Sequence, residues 1–225
     1  MFNNFYEKFS EILEATCALS QAEFVEKAEQ LFAEHTAINE IHNLTRIVTP
    51  EEFFEKHIVD SLIINLVKPE LKTEPFKIAD IGSGGGFPCL PLGMINSLLD
   101  ITGIESLGKK VSAVNTVAEK CSIKNVKVEK YRAREAAREE RFGKQFDVVT
   151  ARAVASVEIL IKECRNLLKD DGVMLFYKTP DAIEKEMPLA LRDSKKFKFS
   201  LSVSEKFTLS EESGQRQFFI LTKNL

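Results

Sequence analysis

FKIADIGSGGGFPCLPL, residues 76–92, sets the architecture of this chain. Its first six residues form a β-rich apolar run. The next five hold four glycines, and the remainder enters a second apolar run predicted to be helical near 88–97. Strand, glycine turn and helix in that order open a βαβ unit, and in a parallel sheet such a turn lies at the carboxyl end of the strand, where ligands bind. Downstream, DITGIE (100–105), VKVEKY (126–131), FDVVTA (146–151) and GVMLFYK (172–178) read as further strands. Helical patterns near 108–122, 133–141 and 155–168 separate them. This alternation predicts an α/β fold, a mostly parallel sheet with helices on both faces. Helices are expected to give out beyond Pro188, where KFKFSLSVSEKF (196–207) and QFFILTK (217–223) suggest a hairpin closing one sheet edge.

Upstream the texture is helical. Phe2, Phe5, Tyr6, Phe9, Ile12 and Leu13 form one apolar stripe, and Ser20 with Glu23 has capping-box spacing. Thr49, Pro50 and Glu52 start a helix expected to reach about Val67, with Pro69 stopping it. The organisation expected is a helical extension, residues 1–70, packed on a core of residues 71–225 as one unit. At 225 residues, 44% hydrophobic and 29% charged, the composition is that of a soluble globular chain. No apolar run approaches the ~20 residues of a membrane span, and the acidic N-terminus does not read as a signal peptide. Cys17, Cys89, Cys121 and Cys164 lie too far apart for a CxxC pair, so neither zinc nor a disulfide framework is indicated; reduced cysteines in a cytoplasmic protein are expected. Residues 1–80 hold 7 basic against 15 acidic side chains, residues 106–152 hold 12 against 6. Solvated helix faces explain such an imbalance, and so does a basic surface turned to a polyanion.

The glycine spacing narrows the ligand. A phosphate-binding P-loop needs a lysine, and none occurs between Lys77 and Lys109. A dinucleotide fingerprint needs a third glycine at 87 or 89, where Phe and Cys stand. The pattern present, Asp80-x-Gly82-x-Gly84-x-Gly86 with Ser83 inside it, resembles the first motif of Rossmann-like methyltransferases that use S-adenosylmethionine. That cofactor needs bare backbone beside its methionyl part and a carboxylate near its positive charges, a role for which Asp80 is placed. Glu105, at the end of the next strand, is positioned to accept hydrogen bonds from two ribose hydroxyls.

Five stretches carry a closer resemblance: HNLTRI (42–47), HIVDSL (57–62), DIGSGGGFPCLPL (80–92), ESLGKK (105–110) and TARAVAS (150–156). Together, over roughly residues 39–180, they resemble the glucose-inhibited division protein B family, bacterial methyltransferases of a guanine N7 in 16S, small-subunit, ribosomal RNA. The resemblance implies a seven-stranded sheet with an N-terminal helical extension. It implies cofactor contacts from Gly82 and Phe87, an adenine contact from Ala133 and Arg134, and a role for Arg152 at the cofactor and substrate pocket. The chain departs from the family twice. An acidic residue is usual where Arg134 stands, with Glu135 one place on as a substitute, and glycine is usual at Cys89.

Other residues keep two readings. Arg152 either serves the pocket or pairs with a neighbouring carboxylate. His57 and Asp60, three apart on a helix, form a hydrogen-bonded support, a cap for the strand ends or a catalytic dyad, and His57 is also a candidate substrate contact. Asn43 hydrogen-bonds a substrate base or makes a turn. Lys178 touches RNA phosphate or is solvated. Lys109 and Lys110, with Lys124, Lys127, Lys130 and Arg132, are candidates for phosphates around a base turned out of the RNA. Guanine N7 is a nucleophile without deprotonation, so no general base is needed and no catalytic residue is assigned. Alignment and electrostatics carry such a reaction. The expected partner is 16S ribosomal RNA or the small subunit, met by a monomer that binds no metal and no membrane. The competing readings are a methyltransferase for a small molecule or protein, and a non-catalytic RNA-binding module that keeps the pocket.

Overall fold

The structure, a computed structural model, describes residues 1–224. The stripe expected as one N-terminal helix is divided between α1 (Phe2–Lys8) and α2 (Ser10–Thr16), because Phe9 leaves helical geometry at φ −113° and ψ 16°. Next comes α3 (Gln21–His42), opened by the Ser20–Glu23 capping box and closed by Asn43 in the left-handed region at φ 51°. Thr49 Oγ1 then accepts the Glu52 N–H at 3.3 Å and starts the stretch 50–67 where expected. That stretch is not uniform. Between α4 (Pro50–Phe53) and the short α5 (Asp60–Leu62) and α6 (Ile64–Val67) lies a π-helical segment, Phe54–Val59. Such insertions often mark functional sites.

From residue 77 the chain alternates as predicted. The elements are β1 (Lys77–Ile81), α7 (Cys89–Ile95), β2 (Asp100–Glu105), α8 (Gly108–Lys120), β3 (Val126–Lys130), α9 (Ala133–Ala136), β4 (Phe146–Arg152), α10 (Val157–Cys164) and β5 (Leu168–Lys178). Then come α11 (Pro180–Lys196), β6 (Phe199–Val203), β7 (Phe207–Ser210) and β8 (Gly214–Lys223). The sheet runs β3-β2-β1-β4-β5-β8-β6, with β8 antiparallel to β5 and β6 and the first five strands parallel. This is the seven-stranded α/β arrangement expected. An eighth strand, the short β7, pairs with the start of β8 off the main path.

Two differences have physical causes. Pro188 does not end the helices: α11 passes through it to Lys196. Burial of Ile183 and Ala190 on that helix supplies the packing that offsets the ~3 kcal/mol a proline costs inside a helix. β5 begins four residues earlier than read, because Leu168 pairs with Phe146 across a bulge.

Alternating side chains divide the core into two layers. Ile78, Ile101, Val128, Val148 and Leu175 face one layer with α7, α8 and the N-terminal helices. Ala79, Ile104, Val149, Phe176 and Phe219 face the other with α9, α10 and α11. The strand order reverses between β1 and β4, and the crevice at a sheet's carboxyl edge opens at that reversal.

Candidate functional site

At that crevice lies a cavity of about 720 Å³. Its walls come from the carboxyl ends of β1, β2, β3 and β4, from α10, and from the segment after α3. The glycine loop forms one wall because its backbone must turn sharply twice. Gly82 and Gly84 have φ +65° and +55°. The N–H groups of Gly82 and Ser83 both donate to the Ile104 carbonyl, at 2.8 and 3.3 Å. A Cβ at Gly82 would stand 2.5 Å from Val154, whereas one at Gly84 would meet nothing nearer than 3.6 Å. Gly86 has a different task. It does not line the cavity, and a Cβ there would strike Leu90 and Val114 at 2.5 and 2.9 Å, so it serves helix packing.

Glu105 is fixed at the end of β2. One carboxylate oxygen accepts the Gly84 N–H at 3.1 Å; the other accepts the Leu107 N–H at 2.9 Å and the Ser106 hydroxyl at 3.3 Å. A carboxylate offers about four acceptor sites, so capacity remains for a ribose hydroxyl, and exposed Ser106 can yield another. Asp80 lies differently from expectation. It is fully buried beneath the loop, does not reach the cavity wall, and neither oxygen meets hydrogen-bond geometry. Burial pushes its pKa up to about 7 against the opposing pull of Arg152 and the nearby thiol and N–H of Cys89. Burial first, and the nearness of Asp80 second, push the pKa of the Cys89 thiol up. Cys89 thus occupies the family's glycine position as a buried neighbour of Asp80. The Ser83 hydroxyl, in the wall, also lacks a partner.

On the far side, His57 stacks on Phe87 with ring centroids 4.0 Å apart and planes 7° from parallel. Its Nε2 lies 2.9 Å from Thr45 Oγ1. Burial first, and the charge of Arg152 second, push its pKa down to about 3, so the ring is neutral near pH 7. His35 Nε2 donates to the Gly85 carbonyl at 2.9 Å, and burial lowers its pKa to about 4. His35 therefore holds the loop from behind.

His57 and Asp60 are not partners. Asp60 instead joins two arginines: Arg152 Nη1 at 3.1 Å and Arg216 Nε at 2.9 Å. Arg152 also donates to the Lys56 carbonyl at 2.9 Å. Arg152, His57 and residues 153–155 separate the first cavity from a second, about 580 Å³, lined also by Lys56, Asp60, Lys178 and Arg216. Lys178 lines only this second space, tied to Glu186 at 2.9 Å and the Ala155 carbonyl at 2.8 Å.

Of the expected site residues, Gly82, Ser83, Gly84, Phe87, Glu105, Lys110, Ala133, Arg134, Arg152 and His57 meet in the first cavity. Exposed Lys109 and Asn43 do not; Asn43 caps α3. Glu135 does not stand in for the acidic residue missing at 134, since it accepts the Arg132 N–H at 3.1 Å and lies off the wall. In the basic segment, Lys127 and Arg141 both pair with the one carboxylate of Glu129. Lys120 pairs with Glu34 and Lys144 with Asp170. Lys109, Lys110, Lys130, Arg132 and Arg134 make no ion pair among the described residues. Lys110, Arg132 and Arg134 line the cavity; Lys109 precedes Lys110 on the first turn of α8, and Lys130 ends β3. Thr45, Tyr131, Val154, Leu160 and Glu163 line the cavity without having been singled out. The only signal for the last two is their i, i+3 spacing on a helix following the fourth strand.

The glycine backbone, the unpartnered Ser83 hydroxyl and the spare capacity of Glu105 fit a cationic nucleoside cofactor of the kind the sequence implies. Among the described residues no cluster of His, Cys, Asp or Glu is arranged to hold a metal, and no helix is long and apolar enough to cross a membrane.

The profile of the family described as "GidB: rRNA small subunit methyltransferase G" matches residues 24–218. The chain belongs to this family. A similar relative is the ribosomal RNA small subunit methyltransferase G of Lactobacillus delbrueckii subsp. bulgaricus, 38% identical over 153 residues. That stretch is 68% of this chain and 64% of the relative, so the chain spans less than two thirds of that protein's length. The protein of the same name from Levilactobacillus brevis is 32% identical over 87% of this chain and 82% of its own. Among solved structures, a SAM-dependent methyltransferase from Aquifex aeolicus aligns with TM-score 0.55 and 15% identity over 83% of this chain and 97% of that one. At that identity the likeness shows the fold, a Rossmann-like methyltransferase fold.

Proposed function

We propose that the protein is an S-adenosylmethionine-dependent methyltransferase acting on guanine N7 in 16S, small-subunit, ribosomal RNA. Family membership supports the reaction and the class of substrate. The observation that carries the reading is the pair of cavities sharing one wall at His57 and Arg152–Ala155. One is floored by bare glycine backbone and Glu105; the other is rimmed by Lys56, Lys178 and Arg216. Bound in the first, the cofactor supplies an electrophilic methyl group on sulfur. Gly82, Ser83, Gly84 and Phe87 would hold its amino-acid end, and Glu105 its ribose. The guanine would enter through the second cavity.

Methyl transfer to N7 leaves the base cationic and the sulfur neutral, with no proton to remove. The residues present agree with that demand. His57, the imidazole nearest the shared wall, is held neutral and stacked, a poor base with a pKa of about 3. Arg152, immobilised by Asp60 and the Lys56 carbonyl, is a positioning group. The unpaired cations at the mouth suit RNA phosphates. In this reading helices 1–70 are a structural part of the same unit as residues 71–225, and the protein works as a monomer in the cytoplasm.

The test is transfer of labelled methyl groups to naked 16S RNA, to assembling particles and to finished small subunits from a strain lacking the gene, followed by mapping of the product. One 7-methylguanosine, absent before enzyme is added, is expected. Transfer only to a small molecule or a protein would replace this reading with another methyltransferase. Cofactor binding without transfer would make the protein a binding module.

A further inference from the structure

Within the first cavity one acceptor remains without a role, the carboxylate of Glu163. We infer that Glu163 receives the exocyclic amino group of the cofactor's adenine and thereby selects an adenosyl ligand over its deaminated, hypoxanthine-bearing counterpart; this rests on the cofactor reading above.

The sheet order supplies the direction. Across the carboxyl edge the loops run from β4 (152–155) to β1 (82–87), β2 (104–106) and β3 (131–134). A nucleoside with its sulfonium end at the glycine loop and its ribose at Glu105 projects its base onward, toward the end of β3. There Ile104, Ala133 and Leu160 give apolar surface for the ring faces. α10 packs beside α9 in the second core layer, where Leu160 and Ala136 share one cluster. On α10, Ile159, Leu160 and Glu163 turn one face to the cavity.

Adenine needs an acceptor for its amine, and Glu163 is the uncommitted carboxylate at this end. Lys110, Arg132 and Arg134 carry donors only. The Tyr131 hydroxyl accepts from Arg141 at 3.3 Å and the Ser106 hydroxyl donates to Glu105; each keeps a lone pair, but a neutral hydroxyl is a weaker acceptor than a carboxylate. Glu105 and Glu163 are the two carboxylates in the wall, and Glu105 is committed to the loop and the ribose. Glu163 is half-buried and makes no hydrogen bond or ion pair among the described residues. Its approach is from the α10 side, so it supplies from across the cavity the acidic group that position 134 lacks. A hypoxanthine ring presents a carbonyl oxygen where adenine presents the amine, which sets acceptor against acceptor. A site built around a hydrogen bond rejects the ligand that cannot make it.

Calorimetry tests this without turnover, using S-adenosylhomocysteine and S-inosylhomocysteine on the wild type, Glu163→Gln and Glu163→Ala. Near-native circular dichroism and melting certify each variant as folded. The wild type should prefer the adenosyl ligand by about 10- to 100-fold, the range of a hydrogen bond to a charged group. In Glu163→Gln, whose amide can donate to the carbonyl oxygen, the ratio should collapse to within about threefold; in Glu163→Ala the adenosyl ligand should weaken while the inosyl ligand does not. An unchanged ratio in a folded variant, or equal weakening of both ligands, overturns the assignment of Glu163 while leaving the cofactor reading standing. Failure of the wild type to bind either ligand overturns the cofactor reading itself, and this inference with it.

Discussion

Replacing Asp80 by Asn should make the protein more stable, and increasingly so as pH rises. The carboxyl is fully buried beneath the glycine loop, neither oxygen has a partner in hydrogen-bond geometry, and its pKa is raised to about 7 from 3.8. The folded chain therefore binds this proton more tightly than the unfolded chain does. The associated stability is complete below about pH 4 and is lost as pH climbs through about 7. At 1.36 kcal/mol per pH unit, the gap between 3.8 and 7 amounts to about 4 kcal/mol as an upper bound above pH 7. An amide in place of the carboxyl never ionises and escapes this loss. Urea unfolding of both proteins at intervals from pH 4.5 to 8.5 should give nearly equal stabilities at the acid end and a gap widening to a few kcal/mol at the alkaline end. His35 and His57, with lowered pKa values, act with the opposite sign: their contribution is lost as pH falls from about 6.5 through about 4 for His35 and about 3 for His57. They are common to both proteins and cancel in the difference. A variant less stable than wild type by the same amount at every pH would refute the reasoning, because it would show that the carboxylate is satisfied in the folded protein.

Gly82→Ala should cost about 1–3 kcal/mol and weaken cofactor binding at least tenfold, since its Cβ meets both a positive φ and Val154 at 2.5 Å. Gly84→Ala meets only the φ, so its loss of stability, read in the same urea titration, should be smaller. Asp60→Asn leaves Arg152 and Arg216 without their carboxylate, and we expect a loss of about 3–5 kcal/mol in thermal unfolding; Asp60→Glu should recover part of it. Lys109→Ala with Lys110→Ala should weaken RNA binding and flatten its dependence on salt, whereas Lys127→Ala, already paired with Glu129, should leave the salt slope nearly unchanged.

Local rules made much of the fold legible. Apolar runs separated by helical spacings located the strands of the main sheet, and the capping signals at Ser20 and Thr49 located two helix starts. What stayed hidden depended on tertiary packing. Pro188 sits in a helix because that helix has a buried face, and Phe9 breaks a stripe whose periodicity continues through it. The site divided along the same line. Gly82, Phe87, Glu105 and Arg152 lie in or beside motifs and were found from them. Thr45 and Val154 also lie in quoted stretches, HNLTRI and TARAVAS, but Glu163 lies outside all of them and reaches the wall only through the packing of α10. Nor does the spacing of Asp60 reveal that its partner is a guanidinium 156 positions later rather than the histidine three positions earlier.

That last pairing bears on the order in which the chain acquires its shape during synthesis. Asp60 emerges early, Arg152 later, and Arg216 only when nearly the whole polypeptide has been made. Until then the Arg152 guanidinium shares its carboxylate with no competitor and β8 has not entered between β5 and β6. The carboxylate that anchors Arg152 in the wall thus gains its second arginine last, from the far end of the chain. A ribosome-bound nascent protein halted before residue 216 would carry every glycine of the loop and every residue of the wall, and still lack the second guanidinium that holds Asp60.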